Sequence, residues 1–409
     1  MRRWATLVIL SLGAMIAYVD RMSISSALAV DAFKLHFDLS DIGRGWVNSA
    51  FFWSYAVMQI PMGWIVDRFG VKRPYAISFA VWCVASAAIG LTSTLAGLIV
   101  MRLIVGAAEG VVVPATYRWI RGNFDPDRSG AALGFYALCS KLGPAISAPL
   151  AAWIIIRLDW RSMFILTGVI GAVWLVPWLL VARDVPGERR QIAATAEPGA
   201  SLRSILGNRF VLGTVLVYFC YDYFAFFCMT WMPAYLVEQR GLSLQQMGLY
   251  AFYSFAGIAL VAFGAGWLAD EIIRRIGRAV LVRKLFVLAG FAVASTIVLG
   301  ARAHSLEVAL FWNVASLAGL GLATANNLAL CSIMLIPRTI VGRVKGIQNT
   351  AVAVSGIVAP LATGWLLHRT GSFVAPMALV FALMIVGAVT VIVVLRPAWA
   401  PRLADAEPL

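Results

Sequence analysis

Twelve apolar runs, each long enough to cross a bilayer as a helix, are the feature of this sequence that limits its fold most. A membrane-spanning helix needs about 20 predominantly apolar residues. The runs lie near residues 4–30, 45–66, 74–93, 95–120, 130–156, 161–182, 209–238, 245–268, 283–302, 305–335, 343–367 and 373–395. Hydrophobic residues make up 61% of the 409 residues and charged residues only 13%, a balance outside that of soluble globular domains. The sequence therefore predicts an all-α membrane protein with twelve transmembrane helices.

Basic residues are distributed unevenly around these runs, and their positions predict the topology. The chain carries 33 Lys and Arg against 19 Asp and Glu, a net charge of +14. With the N-terminus in the cytoplasm, most basic residues, Lys345 among them, fall on the cytoplasmic side, as the positive-inside rule requires. Three basic residues remain that lie well away from the ends of their runs: Arg21, Arg102 and Lys141. The basic charge therefore indicates a multi-pass membrane protein with cytoplasmic termini, in contact with lipid and not with nucleic acid. We expect it in the cell inner (plasma) membrane.

A polar segment divides the chain into two sets of six runs. It predicts an N-terminal half at 1–182, a cytoplasmic linker at 183–208, a C-terminal half at 209–395 and a cytoplasmic tail at 396–409. The halves resemble each other, since "GWIVDRFGVKR" after the second run is echoed by "GWLADEIIRRIGR" after the eighth, and "APLA" occurs in the fifth and the eleventh. Such a repeat predicts two pseudo-symmetric six-helix halves with a substrate site at their interface near the membrane midplane.

Five residues at the end of the second run and before the third form a signature: Gly63, Asp67, Arg68, Gly70 and Arg73. This signature resembles the gating and structural motif of the major facilitator superfamily. Four further segments, "YVDRMSIS", "FFWSYAVMQIPMGWIVDRFG", "RLIVGAAEGVVVPA" and "FFCMTWMPAYLVEQRGLS", resemble the anion:cation symporter family within it. That family includes bacterial carriers for galactonate, glucarate and hexuronates, and animal carriers for sialic acid and glutamate. The resemblance implies a secondary active transporter of organic anions.

Three acids lie deep inside apolar runs: Asp20, Glu109 and Asp222. Arg102 and Glu109 are seven residues apart, so one helix face carries both, about 10 Å from each other. Asp20 and Arg102 lie at similar depths, about 13 and 10 Å from the outer ends of their helices. The matching depths predict a pair across the first and fourth helices, with Arg21 turned away toward a central cavity. Glu109 has no obvious partner near the midplane, where burial penalises the charged form of a carboxyl.

The resemblance also implies roles for individual residues. It assigns the acids at the positions of Asp20 and Glu109 to proton coupling, and Arg102 joins them through its predicted pair with Asp20. It places Arg21 against the substrate carboxylate, chemistry that suits a guanidinium, and Tyr55 beside the substrate. A polar and aromatic stripe around Tyr55 independently predicts a wet or ligand-facing helix wall. Clamping of two helices stays open as the alternative role of the predicted pair.

Three positions depart from the family pattern. Ser140 stands where the sugar-acid carriers have a glutamine, Lys141 adds a cation near the midplane, and Asp222 replaces an asparagine. Lys141 and Asp222 could pair across the two halves, bind substrate and a cation respectively, or point elsewhere. The predicted substrate-binding set is Arg21, Tyr55, Ser140, Lys141, Tyr218, Asp222, Asn326 and Asn349.

The sequence lacks the motifs of the usual membrane enzymes and pumps. It has no H-E-x-x-H, G-x-S-x-G or P-loop, which argues against zinc or serine hydrolysis and ATP-driven transport, and it predicts no metal and no cofactor. Intramembrane carboxylates beside arginines favour a coupled carrier over a channel or a transport-silent sensor. We therefore predict a monomer that imports a small organic monoanion with protons by alternating access. Organic-anion exchange and sodium coupling stay open as alternatives.

The side chains offered to a substrate bear on its class. Sugar acids are the substrates that the resemblance implies, and such molecules need many amide and hydroxyl partners, since each unpaired polar group costs roughly 1 to 3 kcal/mol on burial. The helix that carries Asp222 presents Tyr218 and Phe226 on the same face. An aromatic or less hydroxylated carboxylate is therefore the competing prediction.

Overall fold

The computed structural model describes four stretches of the chain: residues 2–124, 126–184, 202–337 and 340–401. Within these stretches every regular element is a helix. Most of the predicted linker at 183–208 and of the predicted tail at 396–409 lies outside the described residues. The described part of the chain agrees with the prediction of an all-α protein.

Before the linker, the described residues form nine α-helices. They are α1 (Arg2–Ala27), α2 (Asp31–His36), α3 (Asp41–Phe69), α4 (Lys72–Ile89), α5 (Leu95–Glu109), α6 (Val112–Asn123), α7 (Pro126–Arg157), α8 (Trp160–Val173) and α9 (Leu175–Val181). Side-chain caps explain several of the starts. The hydroxyls of Ser40 and Thr94 accept the third backbone N–H of α3 and α5, and the Asp159 carboxylate does the same for α8. Each cap contributes about 1 kcal/mol to its helix.

From residue 202 onward, the described residues form eight further α-helices, the first of which falls at the end of the predicted linker. They are α10 (Leu202–Leu206), α11 (Arg209–Ala234), α12 (Leu244–Ile276), α13 (Ala279–Ala294), α14 (Ile297–Arg302), α15 (Leu306–Leu328), α16 (Val341–Thr370) and α17 (Val374–Val393). Two π-helical turns, Tyr235–Gln239 and Ala329–Met334, continue α11 and α15, and a 3₁₀ turn at Pro397–Trp399 follows α17.

Among the described residues, ten helical segments are long and apolar enough to cross a membrane. They comprise α1, α5 with α6, α7, α8 with α9, α11, α12, α13 with α14, α15, α16 and α17. The predicted runs near 45–66 and 74–93 fall on α3 and α4, which are helical but more polar. Asn48 and Gln59 lower the mean hydropathy of α3, and Lys72 with Arg73 opens α4. The count of twelve membrane crossings therefore stays a prediction.

The helices group into two compact units. Unit 1 contains the described residues of 1–195 together with 227–255 and 360–371. Unit 2 contains the described residues of 196–226, 256–359 and 372–409.

Two glycines allow the helices of unit 1 to pack closely around the predicted proton-coupling residues. A Cβ at Gly143 of α7 would lie 2.6 Å from the Tyr18 Cβ of α1. A Cβ at Gly106 of α5 would collide with the backbone oxygen of Phe51 in α3. Only hydrogen in place of a side chain permits these approaches. The contacts bring α1 against α7 and α3 against α5, and this positions the charges of α1 and α5.

Candidate functional site

Four charged side chains of α1 and α5 lie inside unit 1, and we call them the buried charge group: Asp20, Arg21, Arg102 and Glu109. Asp20 is 3% exposed, Arg102 2% and Glu109 0%. A charge taken out of water costs several kcal/mol unless a partner compensates it. The arrangement of the four groups therefore determines whether they can serve as a site.

Arg21 and Glu109 form a buried ion pair across α1 and α5. The Arg21 Nε donates a hydrogen bond to the Glu109 Oε2 at 2.6 Å. Three aromatic rings surround the Arg21 guanidinium, those of Tyr18, Phe51 and Tyr55, with centroids 4.7, 4.9 and 4.7 Å away. A guanidinium is weakly hydrated and stacks on aromatic faces, so this enclosure suits it. The expectation that Glu109 lacks a partner was wrong, because its partner is Arg21.

Asp20 faces away from this pair. Thr167 and Trp82, of α8 and α4, are the polar side chains next to its carboxyl, but neither carboxyl oxygen has a hydrogen-bond partner among the described residues. The predicted ion pair between Asp20 and Arg102 was wrong. Equal depth did not bring the two side chains together, because Asp20 points toward α4 and α8.

Arg102 instead lies against α3. Its Nε donates to the backbone oxygen of Val47 at 3.4 Å, and its guanidinium lies over the Phe51 ring with 5.1 Å to the centroid. The guanidinium groups of Arg21 and Arg102 thus both lie over the Phe51 ring. Asp20 and Glu109 both influence Arg102 electrostatically from a longer distance. Arg102 is therefore a shared positive charge of the buried charge group rather than the partner of one acid.

Three predicted substrate residues of unit 1 have different surroundings. Tyr55 is partly buried and stacks on Phe51 with 5.5 Å between ring centroids, beside Arg21. Ser140 is buried, and its hydroxyl donates to the backbone oxygen of Tyr136 in its own helix at 2.9 Å. Lys141 is exposed and makes no hydrogen bond or ion pair with any described residue. Of these three predicted residues, the structure brings Tyr55 to the Arg21 guanidinium.

Unit 2 contains the other predicted substrate residues. The Tyr218 hydroxyl of α11 accepts a hydrogen bond from the Lys345 Nζ of α16 at 3.0 Å. Asp222, one helical turn after Tyr218, is partly buried and acts electrostatically on the same lysine. Asn349 is exposed and lies one turn after Lys345. Lys345 was not among the predicted substrate residues, because the sequence placed it on the cytoplasmic side. Its spacing of four residues from Asn349, a predicted substrate residue, was the signal that could have identified it.

Asn326 is enclosed differently. Its side chain is 0% exposed. The Oδ1 atom accepts a hydrogen bond from Arg283 at 2.8 Å and the Nδ2 atom donates to the backbone oxygen of Leu322 at 3.1 Å. Both ends of the amide are thus occupied inside unit 2, so the structure does not bring Asn326 to the group formed by Lys345 and Tyr218.

The signature residues lie at the junction of α3 and α4. Gly70 adopts a φ of 86°, which favours glycine,, and a Cβ there would lie 2.7 Å from the Asp184 carboxylate. That carboxylate accepts the backbone N–H groups of Val71 and Lys72 at 2.6 and 2.9 Å. Gly70 is therefore required both for the turn and for the approach of Asp184.

Two charged residues of the signature, Asp67 and Arg68, contact other side chains. Asp67 forms an ion pair with Arg118 of α6. Arg68 lies over the rings of Trp64 and Phe69. The other two signature residues pack loosely, since Arg73 is exposed and a Cβ at Gly63 would meet only the Pro114 Cβ at 3.9 Å. In unit 2 the echoed segment contributes Asp270, which forms an ion pair with Arg283.

A second group of charges lies at helix ends in unit 1, and we call it the Glu238 cluster: Asp31, Lys34, Asp41, Arg44 and Glu238. Arg44 donates to both oxygens of Glu238 at 2.9 and 3.1 Å and to Asp41 at 3.0 Å. Lys34 donates to Glu238 at 2.7 Å. A hydrogen bond and ion pair from Lys34 lower the pKa of the exposed Asp31 carboxyl. Nothing in the sequence indicated this cluster, because its members come from distant parts of the chain.

Aromatic and backbone contacts hold the Glu238 cluster in place. The Arg44 guanidinium lies over the Trp231 ring, 4.7 Å from its centroid. The Trp231 indole N–H donates to the backbone oxygen of Pro360 at 3.2 Å. A Cβ at Gly45 would lie 2.9 Å from the same oxygen. The cluster therefore ties α2 and α3 to the end of α11 and to α16.

Comparison with known sequences identifies relatives along almost the whole chain. A family model described as "Major Facilitator Superfamily" matches residues 10–360. A D-galactonate transporter of Escherichia coli is 29% identical, with 96% of this chain and 95% of that protein covered. A probable sulfoacetate transporter of Cupriavidus necator is 30% identical over 91% and 89%, and a hexuronate transporter of Bacillus subtilis is 28% identical over 95% and 93%. All three relatives are named transporters, in agreement with the prediction that this chain is not an enzyme.

Solved structures support the fold. A bacterial homologue of the human lysosomal transporter Spinster, in an inward-facing and unoccupied conformation, has a TM-score of 0.79 at 16% identity, covering 99% of both chains. The occupied form has a TM-score of 0.77 at 15% identity, covering 98% of both. At these identities the similarity concerns the fold alone.

Proposed function

Because the chain belongs to the Major Facilitator Superfamily, we propose that it is a secondary active transporter that imports a small organic carboxylate together with protons. The observation that carries this proposal is the buried ion pair between Arg21 and Glu109. Arg21 can bind a carboxylate, and Glu109 can take up a proton. When the two groups are in contact, proton binding and substrate binding depend on each other, as symport requires.

The proposed coupling is an exchange of anions on Arg21. While Glu109 is ionised, it occupies the guanidinium at 2.6 Å. Protonation removes the charge of Glu109 and weakens this contact, which frees Arg21 for the substrate carboxylate. After substrate leaves, the buried guanidinium again needs an anion, so Glu109 loses its proton and returns. Tyr55, stacked beside Arg21, completes the proposed carboxylate site.

Asp20 is proposed as a second proton site, with Arg102 as the positive charge that both acids share. Its carboxyl is buried and has no hydrogen-bond partner among the described residues, a situation that packing alone does not explain. Two acids permit one or two protons per cycle. For a monoanion, one proton makes the step electroneutral, and a second adds about 2.3 kcal/mol of driving force per 100 mV.

Sugar acids are the proposed substrates. Relatives are named for D-galactonate, hexuronate and galactarate or D-glucarate. The relative named for sulfoacetate supports a smaller and less hydroxylated anion as a second candidate. Six of the predicted residues stay, with Arg21, the proposed substrate-binding set: Tyr55, Ser140, Lys141, Tyr218, Asp222 and Asn349. The amide of Asn326 is instead occupied by Arg283 and the backbone oxygen of Leu322.

We propose the family arrangement for the rest of the molecule. It consists of twelve transmembrane helices in two six-helix halves, at 1–182 and 209–395, joined by the linker at 183–208. The protein is proposed to be a monomer of the inner (plasma) membrane with cytoplasmic termini, operating by alternating access. The signature from Gly63 to Arg73 is proposed to serve in gating.

Transport by purified protein in liposomes tests this function. Counterflow of a radiolabelled aldonate, with protein-free liposomes as control, should show saturable exchange. An inward proton gradient should then drive accumulation, and an inward sodium gradient should not. Absence of counterflow with sugar acids, aromatic acids and sulfoacetate would refute the carrier function. Accumulation driven by sodium alone, or exchange without any accumulation, would instead support the sodium-coupled carrier or the exchanger.

A further inference from the structure

Asp20 of α1 lies where α4 and α8 of unit 1 approach each other closely. A Cβ at Gly168 of α8 would lie 2.5 Å from the backbone oxygen of Cys83 in α4, an approach that only glycine permits. Thr167 and Trp82 directly precede these two residues, and their side chains are the polar ones next to the Asp20 carboxyl. The carboxyl is thus enclosed by one hydroxyl and one indole.

Burial leaves polar atoms of this site without the hydrogen bonds that water would supply. The side chains of Asp20, Trp82 and Thr167 are all buried. Neither oxygen of Asp20 has a hydrogen-bond partner in the described part of the chain, and the same holds for the Trp82 Nε1. Buried polar atoms are nearly always hydrogen bonded, and a buried Trp N–H usually finds an acceptor. An unpaired donor therefore lies beside an unpaired acceptor, an arrangement that packing alone does not explain.

Thr167 and Trp82 offer opposite chemistry to the carboxyl. The Thr167 hydroxyl donates its single proton to the backbone oxygen of Phe164 at 3.1 Å, so toward Asp20 it presents only lone pairs. A lone pair accepts the O–H of a protonated carboxyl and repels an ionised one. The Trp82 indole has one N–H and no acceptor, so it can only donate. A donor binds an ionised carboxylate more strongly than a neutral carboxyl.

We propose that Thr167 and Trp82 are positioning residues of the Asp20 proton site. When Asp20 takes up a proton, its O–H donates to the Thr167 Oγ1 while its other oxygen accepts the Trp82 N–H. When Asp20 loses the proton, the contact with Thr167 is lost and the Trp82 N–H holds the carboxylate. Thr167 thus favours the protonated form and Trp82 the ionised form. This inference rests on the proposed function, in which Asp20 takes up a proton.

Other titratable and charged groups lie around the site. Arg102 and Glu109 of α5 act on Asp20 from a longer distance, and the Cys83 thiol of α4 is also near it. Arg21, the next residue of α1, forms its ion pair with Glu109. None of these groups hydrogen bonds to the Asp20 carboxyl as far as the structure describes the chain. The two positioning residues can therefore be changed while the charges around Asp20 stay the same.

Infrared titration of the purified protein tests the inference. The C=O absorption of protonated carboxyl groups is followed against pH, and the part that Asp20→Asn removes belongs to Asp20. Thr167→Val removes the hydroxyl and keeps the shape of the side chain, whereas Thr167→Ser keeps the hydroxyl. Trp82→Phe removes the indole N–H. The pH at which a proton gradient drives half-maximal uptake is measured for the same variants in liposomes.

The matched controls make the same substitutions elsewhere in unit 1. Thr116→Val removes a buried hydroxyl that donates to a backbone oxygen of its own helix, as the Thr167 hydroxyl does. Trp178→Phe removes a buried indole whose N–H donates to the backbone oxygen of Lys72. Both controls reproduce the loss of packing without changing a neighbour of Asp20.

The two test variants should move the Asp20 titration in opposite directions. Thr167→Val should lower its pH midpoint by about 0.5–1 unit, because the protonated form loses its acceptor. Trp82→Phe should raise the midpoint by a similar amount, because the ionised form loses more than the neutral form. Thr167→Ser, Thr116→Val and Trp178→Phe should leave it unchanged, and the midpoint of uptake should follow that of the titration.

Several results would overturn the inference. Unmoved midpoints, shifts of the same sign in both test variants, or equal shifts in the controls would show that Thr167 and Trp82 act through packing alone. If Trp82→Phe does not fold, the comparison of Thr167→Val with Thr167→Ser still decides, because only the first removes the acceptor.

Failure of the proposed function looks different in these variants. If the wild type shows no counterflow while the two midpoints move apart, the transport function fails and the roles of Thr167 and Trp82 hold. If a proton gradient drives accumulation but the midpoints do not move, the transport function holds and this inference alone is refuted. If Asp20→Asn removes no carboxyl absorption at any pH, the inference fails together with the proposal that Asp20 is a second proton site.

Discussion

The described residues of unit 1 form two Arg–Glu ion pairs that share their chemistry but not their surroundings. Arg21 and Glu109 meet at 2.6 Å, with side chains that are 8% and 0% exposed. Arg44 and Glu238 meet through two hydrogen bonds, with side chains that are 4% and 24% exposed. Both guanidinium groups lie over aromatic rings. Stacking therefore does not distinguish the pairs, and the difference lies in the carboxylates.

The two carboxylates differ in how completely they are hydrogen bonded. Glu109 uses Oε2 for Arg21, whereas its Oε1 has no hydrogen-bond partner among the described residues. Glu238 uses both oxygens, with Lys34 and Arg44 on one and Arg44 on the other. A buried oxygen without a partner is costly, and proton uptake or a change of ligand relieves that cost. The comparison indicates that the Arg21 pair is exchangeable and that the Arg44 pair is a structural tie.

The largest effect is expected from Glu109→Gln, which keeps the shape of the side chain and removes its titration. Accumulation driven by a proton gradient should be lost, while substrate exchange stays measurable because Arg21 can still bind the carboxylate. The mutant should also lose about 3–5 kcal/mol of stability, because the buried Arg21 charge loses its partner. Gradient-driven uptake and counterflow in the same liposome preparation measure the two activities separately.

Glu238→Gln makes the same chemical change in the other pair and is the matched control. It should retain proton-driven accumulation, because Glu238 has no spare oxygen and takes no part in the proposed coupling. Uptake against a gradient at the wild-type level in Glu109→Gln would remove Glu109 from the mechanism.

The sequence predicted the residues of the buried charge group better than their pairing. Charges are rare in apolar runs, so Asp20, Arg21, Arg102 and Glu109 could be selected from composition alone. Depth along a helix gives the height of a side chain but not its direction around the axis. Asp20 and Arg21 are successive residues and point about 100° apart. The prediction paired Asp20 with Arg102 of α5, whereas the residue of α1 that forms an ion pair with α5 is Arg21, and its partner is Glu109.

The sequence also missed interactions that long side chains make with distant parts of the chain. Lys345 was counted as a cytoplasmic cation, because the positive-inside rule considers the position of a residue and not the reach of its side chain. A lysine can extend its ammonium well away from its own Cα, and in unit 2 it reaches Tyr218. The Glu238 cluster was missed because residues 44 and 238 come together only in the folded chain. The helices themselves were predictable, since apolar runs of about 20 residues form helices in lipid.

The next largest effect is expected from Arg21→Lys, which keeps the charge and removes the planar fork of donors. Substrate affinity should fall by about tenfold or more, because an ammonium cannot bind a carboxylate bidentately. A binding titration on the purified protein measures this. Arg44→Lys is the matched control and should leave affinity unchanged. Affinity of Arg21→Lys equal to that of the wild type would make Arg21 a structural residue, as Arg44 is.

The smallest effect is expected on stability, from neutralising the Glu238 pair. Glu238 is partly exposed, so Glu238→Gln should cost about 1–2 kcal/mol, between the values typical of exposed and of buried ion pairs. The loss of stability in Glu238→Gln should shrink at high salt, because salt screens exposed charges more than buried ones, whereas the loss of stability in Glu109→Gln should not.

Thermal unfolding in detergent of Arg44→Gln, Glu238→Gln and the double mutant gives the coupling energy of the pair. A coupling of about 0.5–3 kcal/mol is expected for side chains in direct contact. Strictly additive losses would show that the two groups do not stabilise each other, and the Glu238 cluster would then not be the structural tie that the comparison assigns to it.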